Sequence, residues 1–203
     1  MGQYYKAVVA TKDYGAKDTA VFSPSVYNQF RKLLEHGWMG NKFCLEVERY
    51  IYEHGICRVG WMGDYGDAFE DELDEKHKEC SYIPKCNEVF CYDNPSPLKE
   101  IRKPLYDGTF DYLGKFLCNH TQKKFIDIGK FYEKNRAKAP WSNAVMCLDP
   151  LPILTAIGNG QGGGDYYDPN EESFAWAWDE ISIEDEKPAG MEEYNLLLPF
   201  DEA

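Results

Sequence analysis

Two stretches decide the reading of this chain: Tyr4-Tyr-Lys-Ala-Val-Val-Ala10, and Tyr112-Leu-Gly-Lys-Phe-Leu-Cys118. Each is an apolar run followed by a polar turn and a second apolar run. The first is followed by Thr11-Lys12, a turn and Ala20-Val-Phe22. The second continues through Asn119-His-Thr-Gln-Lys-Lys124 into Phe125-Ile-Asp-Ile128. Both predict a strand, a hairpin turn and a returning strand. The echo continues outward. Leu33-Leu34 leading to Gly40-Asn41 is answered by Ile153-Leu154 leading to Gly158-Asn159, and Gly60-Trp-Met-Gly-Asp64 by Ala175-Trp-Ala-Trp-Asp179. Three shared elements in one order predict a duplication. The expected fold is α+β: two pseudo-symmetric small sheet-plus-helix modules packed together, as two sheets or one shared sheet, with helices to one side. The first copy spans 1–74, a Cys/Pro-rich connector 75–104, and the second copy 105–203.

Between these anchors, Asn41 and Gly55 bracket an amphipathic helix with Phe43, Val47, Tyr50, Ile51 and His54 at helical spacing. Ser23 and Pro24 signal an earlier helix with Val26, Phe30, Leu33 and Leu34 facing inward.

The formal charge of the 203 residues is −13, and it is segregated. Residues 64–75 carry Asp64, Asp67, Glu70, Asp71, Glu72, Asp74 and Glu75 without a base, and one lysine, Lys187, lies between Asp165 and the C-terminus. Such a surface repels nucleic acid and attracts basic proteins. A basic protein partner is therefore expected at Asp64, Asp67, Glu70, Asp71, Glu72, Asp165, Asp168, Glu171 and Glu172, with no direct nucleic-acid contact. No apolar run is long enough for a membrane span, and the opening residues lack the pattern of a secretory signal, so a cytoplasmic protein is expected. Seven cysteines, an odd number, fit reduced thiols better than a disulfide framework.

Three local patterns bear on chemistry. His77, Cys80, Cys86 and Cys91 lie in a segment without an apolar core of its own, and one imidazole with three thiolates can complete a zinc site. Reduced, partly buried thiols are the competing reading, so no cofactor is required. The loop Gly158-Asn-Gly-Gln-Gly-Gly-Gly-Asp165 can cradle an anion through backbone N–H groups, chiefly at Gly158, Asn159, Gly162, Gly163 and Gly164. It lacks the Lys-Ser/Thr of a phosphate-binding loop, and its flanking acids suit a cation instead. Cys118 and His120 share one strand face, and His36 lies near Glu35 and, in the duplicated scheme, Asp64. Neither makes a complete catalytic set, so the second reading behind a binding protein is an enzyme or small-ligand binder that uses the glycine-rich loop in a crevice between the copies.

Met1-Gly-Gln-Tyr-Tyr-Lys6, Leu33-Leu-Glu-His-Gly-Trp-Met-Gly-Asn41, Gly60-Trp-Met-Gly-Asp-Tyr-Gly-Asp67, Gly158-Asn-Gly-Gln-Gly-Gly-Gly-Asp165 and Trp178-Asp-Glu-Ile-Ser-Ile-Glu-Asp-Glu186 together resemble a family of uncharacterised bacterial and phage proteins. The resemblance covers most of the chain outside 75–104 and brings no assigned activity. It implies an accessory protein of a phage or mobile element, acting on a host nucleic-acid-handling or defence protein, with carboxylates standing in for phosphates.

Overall fold

In the computed structural model the described residues are 3–11, 14–90, 96–138, 145–158, 174–196 and 198. Their strands are β1 (Tyr5–Ala10), β2 (Thr19–Phe22), β3 (Cys57–Gly63), β4 (Lys99–Ile101), β5 (Phe116–Asn119), β6 (Lys124–Asp127), β7 (Ala137–Lys138), β8 (Val145–Met146), β9 (Ala156–Ile157), β10 (Glu180–Glu184) and β11 (Glu192–Glu193). Six α-helices accompany them: α1 (Leu33–His36), α2 (Lys42–His54), α3 (Glu70–Lys76), α4 (Cys86–Val89), α5 (Ile128–Asn135) and α6 (Pro150–Leu154). The protein is mixed α/β, built on one open sheet ordered β11-β6-β5-β10-β3-β1-β2-β4, with β9 added to β3 and β7–β8 forming a separate ribbon.

Both expected hairpins form. Ala7 pairs with Phe22 and Ala10 with Thr19 in the first, Phe116 with Asp127 and Asn119 with Lys124 in the second. The second is shorter than its apolar run, since β5 begins at Phe116 and Ile128 already opens α5. Asp127 stops the strand by capping that helix, its Oδ1 accepting from the Lys130 amide at 3.1 Å. Strand β3 returns along β1, and β10 along β5. The two sets meet where β3 lies antiparallel to β10, through Arg58 opposite Glu180 and Cys57 opposite Ile181. Parallel strands finish the edges, β4 beside β2 and β11 beside β6.

Helix α2 follows its sequence signals. Asn41 Oδ1 accepts from the Phe43 amide at 2.9 Å, and Gly55 ends the helix at φ 76°, a left-handed conformation that glycine adopts without strain. Phe43, Val47, Tyr50 and Ile51 are buried, whereas His54 is exposed and stacks on Tyr50 at 3.9 Å. The earlier helix does not form as one piece. Asn28 adopts φ 58°, which breaks it into a 3-10 turn over Pro24–Tyr27 and the single turn α1, and it leaves Phe30 75% exposed rather than inward.

Helices cover both faces of the sheet, not one. On the first face Tyr5, Ala7, Val9, Val59 and Trp61 pack with Phe43, Val47 and Ile51 of α2 and with Leu151 and Leu154 of α6. Alternation along the strands sends Val8, Ala10, Val21 and Met62 to the other face. There they meet Leu73 of α3, Ile83, Cys86 and Val89 of α4, and Leu98. The Cys/Pro-rich segment thus supplies a layer of the core together with edge strand β4. Among the described residues no helix is long and apolar enough to cross a membrane.

The first layer encloses a carboxyl pair. Glu48 of α2 and Asp149, which caps α6 through the Leu151 amide at 3.0 Å, are both fully buried. They contact each other, and otherwise both Glu48 oxygens and Asp149 Oδ2 lack a hydrogen-bond partner. Two carboxyl groups in contact inside an apolar core share a proton, because burial raises the pKa of both, most strongly that of Glu48. The folded state keeps a proton that the unfolded chain releases above roughly pH 4.3. This contribution to stability is complete at low pH and is lost as pH rises toward the folded pKa. Relative to the parent, Glu48→Gln is therefore expected to gain more stability at about pH 8 than at about pH 5, read by urea denaturation at each pH. An equal change at both would contradict a shared proton.

Candidate functional site

The acidic stretch 64–75 divides into carboxylates held by hydrogen bonds or ion pairs and carboxylates left exposed. Asp64 Oδ1 accepts from the Tyr4 amide at 3.0 Å, tying the start of β1 to the end of β3. Glu70 Oε1 accepts from the Cys86 amide at 2.7 Å and holds α4 to α3. Farther along, Asp74 pairs with Lys85 at 2.6 Å and Glu75 with Lys78. Asp67, Asp71 and Glu72 remain exposed along the 3-10 turn Gly66–Phe69 and the first turn of α3. Beside them Tyr65 is 42% exposed, and Tyr4, bonded to Asp64, is 44% exposed. The result is a ridge of exposed carboxylates that begins beside Tyr65, whereas the Tyr4 ring already carries the Arg31 guanidinium at 5.8 Å. Asp165, Asp168, Glu171 and Glu172, expected to extend it, lie outside the described residues.

A second polar assembly straddles the β3–β10 junction. Arg58, buried in mid-sheet, donates to the Trp178 carbonyl at 2.9 Å and reaches Glu79 and Glu180 at 3.4 Å each. Asp179, fully buried, accepts from Asn119 and Gln122, both at 2.7 Å, and stands 3.5 Å from Lys76 Nζ and from His77 Nε2. Burial lowers the Lys76 pKa against the pull of Asp179, and burial likewise lowers that of His77. The His77 ring donates from Nε2 to the Ala177 carbonyl at 2.8 Å. Its Nδ1 faces Glu79 Oε1 at 3.6 Å and has no hydrogen-bond partner. Cys80 Sγ lies 3.6 Å from the same oxygen.

Of the four expected zinc ligands, the structure therefore brings His77 and Cys80 together, with Glu79 as the third donor. Cys86 Sγ instead points to the Gly63 carbonyl at 3.5 Å inside the second layer. Cys91 lies outside the described residues, as do Asn159, Gly162, Gly163 and Gly164. Gly158 is described, and close packing accounts for it: a Cβ there would lie 2.4 Å from Gln3 Oε1 and from the Tyr5 hydroxyl.

The histidines named as acid–base candidates are held by the fold. His36 turns away from Asp64 into the core, donating from Nδ1 to the Phe30 carbonyl at 3.0 Å and accepting at Nε2 from the Trp61 indole at 2.9 Å. Burial pulls its pKa down to about 4, so the ring is neutral. On the strand β10 side, Ser182 Oγ donates to Glu184 at 2.7 Å and accepts from His120 Nε2 at 2.7 Å. The hydroxyl lies between imidazole and carboxylate, whereas a triad needs the imidazole in the middle. Burial pushes the Cys118 thiol up to about 12, which keeps it protonated.

Comparison with protein-family models, with curated proteins and with solved structures finds no match.

Two measurements check this geometry. Asp179→Ala leaves the Asn119 and Gln122 amides and the buried Lys76 end without their acceptor, so a loss of about 3 kcal/mol in urea denaturation is expected. In nitrogen-15 imidazole spectra, His36 is expected as the Nδ1–H tautomer across the neutral range, protonating only near pH 4. Protonation near pH 6.5 would contradict the buried Trp61 bond.

Proposed function

We propose that this chain is a non-enzymatic binding protein that engages a basic protein partner through its acidic surface. The observation that carries the reading is the ridge on which Asp67, Asp71 and Glu72 stay exposed after Tyr65 while the neighbouring acids are occupied as caps or ion pairs. Exposed carboxylates beside an exposed tyrosine, here Tyr65, suit lysine and arginine side chains, which can take an ion pair and a cation–π contact. A row of carboxylates can also occupy the cationic groups that otherwise hold a nucleic-acid backbone. Together with the resemblance to bacterial and phage proteins, this supports an accessory factor that inhibits a host nucleic-acid-handling or defence protein in the cytoplasm.

We further propose that the fold arose by duplication of a hairpin and a returning strand. The strand order supports it: β2-β1-β3 on one side of the junction has the connectivity of β6-β5-β10 on the other. The paired motifs have nevertheless diverged, since Trp61 lies within β3 while Trp176 and Asp179 precede β10.

The test is capture of partners from a host lysate on the tagged protein, with and without added nuclease. One stoichiometric, nuclease-resistant, salt-sensitive partner is expected. Combining Asp67→Lys, Asp71→Lys and Glu72→Lys should weaken its binding at least tenfold, about 1.4 kcal/mol, with the melting temperature retained. Unchanged affinity in that triple variant would overturn the assignment of the ridge.

A further inference from the structure

The end of α3 presents three donors of different chemistry to one point. His77 follows the helix directly, and Glu79 and Cys80 lie in the turn beyond it. Their ligand atoms all lie within 4.8 Å of one another. Two edges of this triangle, Nδ1 to Oε1 and Sγ to Oε1, are both 3.6 Å. A tetrahedral ion with bonds of about 2.0–2.3 Å separates its donors by roughly 3.5 Å, so these edges already match such a shell.

The imidazole supplies the independent observation. His77 is 2% exposed, and its Nε2–H is committed to the Ala177 carbonyl. That bond fixes the tautomer and leaves a lone pair on Nδ1, which is buried, aimed at Glu79 and Cys80, and without a hydrogen-bond partner. An unsatisfied buried polar atom costs about 1–3 kcal/mol. A backbone carbonyl orienting the far nitrogen is the usual support of a metal-ligating histidine. Arg58 Nη2 donates to Glu79 Oε1 at 3.4 Å and fixes where that carboxylate sits beside the other two donors. Glu79 is 61% exposed in its side chain, which leaves a solvent-facing side for a fourth ligand.

We propose that His77 Nδ1, the Glu79 carboxylate and the Cys80 thiolate bind one divalent ion of the zinc class, with water in the fourth position. Mixed N, O and S donors select a borderline-soft ion over calcium or magnesium. Binding replaces the thiol proton, which passes to solvent. The imidazole releases none, since its one ring proton stays on Nε2. One proton therefore leaves per ion bound.

The experiment titrates the full, reduced chain with Co2+. A near-ultraviolet sulfur-to-cobalt charge-transfer band and intense tetrahedral visible bands should saturate at one equivalent, release one proton in a weakly buffered solution, and be displaced by Zn2+. Cys80→Ser should abolish the charge-transfer band, and Glu79→Gln, at an exposed side chain, should weaken binding by about tenfold or more. Cys86→Ser should leave both unchanged. Absence of the band in the parent protein overturns the site. So does a band that survives Cys80→Ser or vanishes with Cys86→Ser.

Discussion

The sheet is continuous because of a pairing only two residues long, Arg58 with Glu180 and Cys57 with Ile181. So short a ladder between antiparallel strands is weak by itself, and the chain reinforces it from every side. The Trp178 amide donates to the Val59 carbonyl at 2.7 Å, continuing the hydrogen bonding past the regular pairs, while the His120 amide donates to the Glu180 carbonyl at 2.7 Å and extends the neighbouring β5–β10 ladder. Arg58 then ties the Trp178 carbonyl to the Glu180 carboxylate. A guanidinium buried in mid-sheet is costly unless its donors are matched, and here Nη1 and Nη2 find acceptors while Nε does not. Two of those acceptors, the Trp178 carbonyl and the Glu180 carboxylate, come from the opposite half of the chain.

From that junction the other polar features follow in order. Asp179 lies where the chain enters β10, and its bonds to Asn119 and Gln122 fix the hairpin β5–β6 against the turn before β10. Lys76 and His77 reach the same turn from α3, which seats the second layer over β1 and β3. The exposed acids precede these anchors in sequence. The metal-type triad includes one of them, His77, and shares Arg58 with the junction through Glu79.

The core tolerates two polar liabilities for different reasons. His36 is neutral and satisfied at both nitrogens, so it behaves as a shaped apolar group between Phe43 and Trp61. Glu48 and Asp149 gain less, since a shared proton satisfies only part of their acceptor capacity. The pair links α2 to the start of α6, two elements far apart in sequence.

The sequence by itself determined the features that depend on neighbours along the chain. Both hairpins, the span of α2 between Asn41 and Gly55, and the acidic character of 64–75 follow from periodicity, capping chemistry and charge, all of them local. Tertiary structure decided what depends on partners far away. Residues 75–104 read as a connector because Ile83, Val89 and Leu98 find their apolar neighbours only on a sheet built from elsewhere. Glu79 carries no donor signal in the sequence beside the more conspicuous cysteines, since the turn after α3, not spacing, sets which side chains converge. Arg58 gave one signal, a charge inside an apolar strand, but its meaning required Glu180 and Trp178, more than a hundred residues on. Local physics writes the elements and the acidic run; only the folded sheet brings distant acceptors to a buried cation, and there Glu79 is set beside His77 and Cys80.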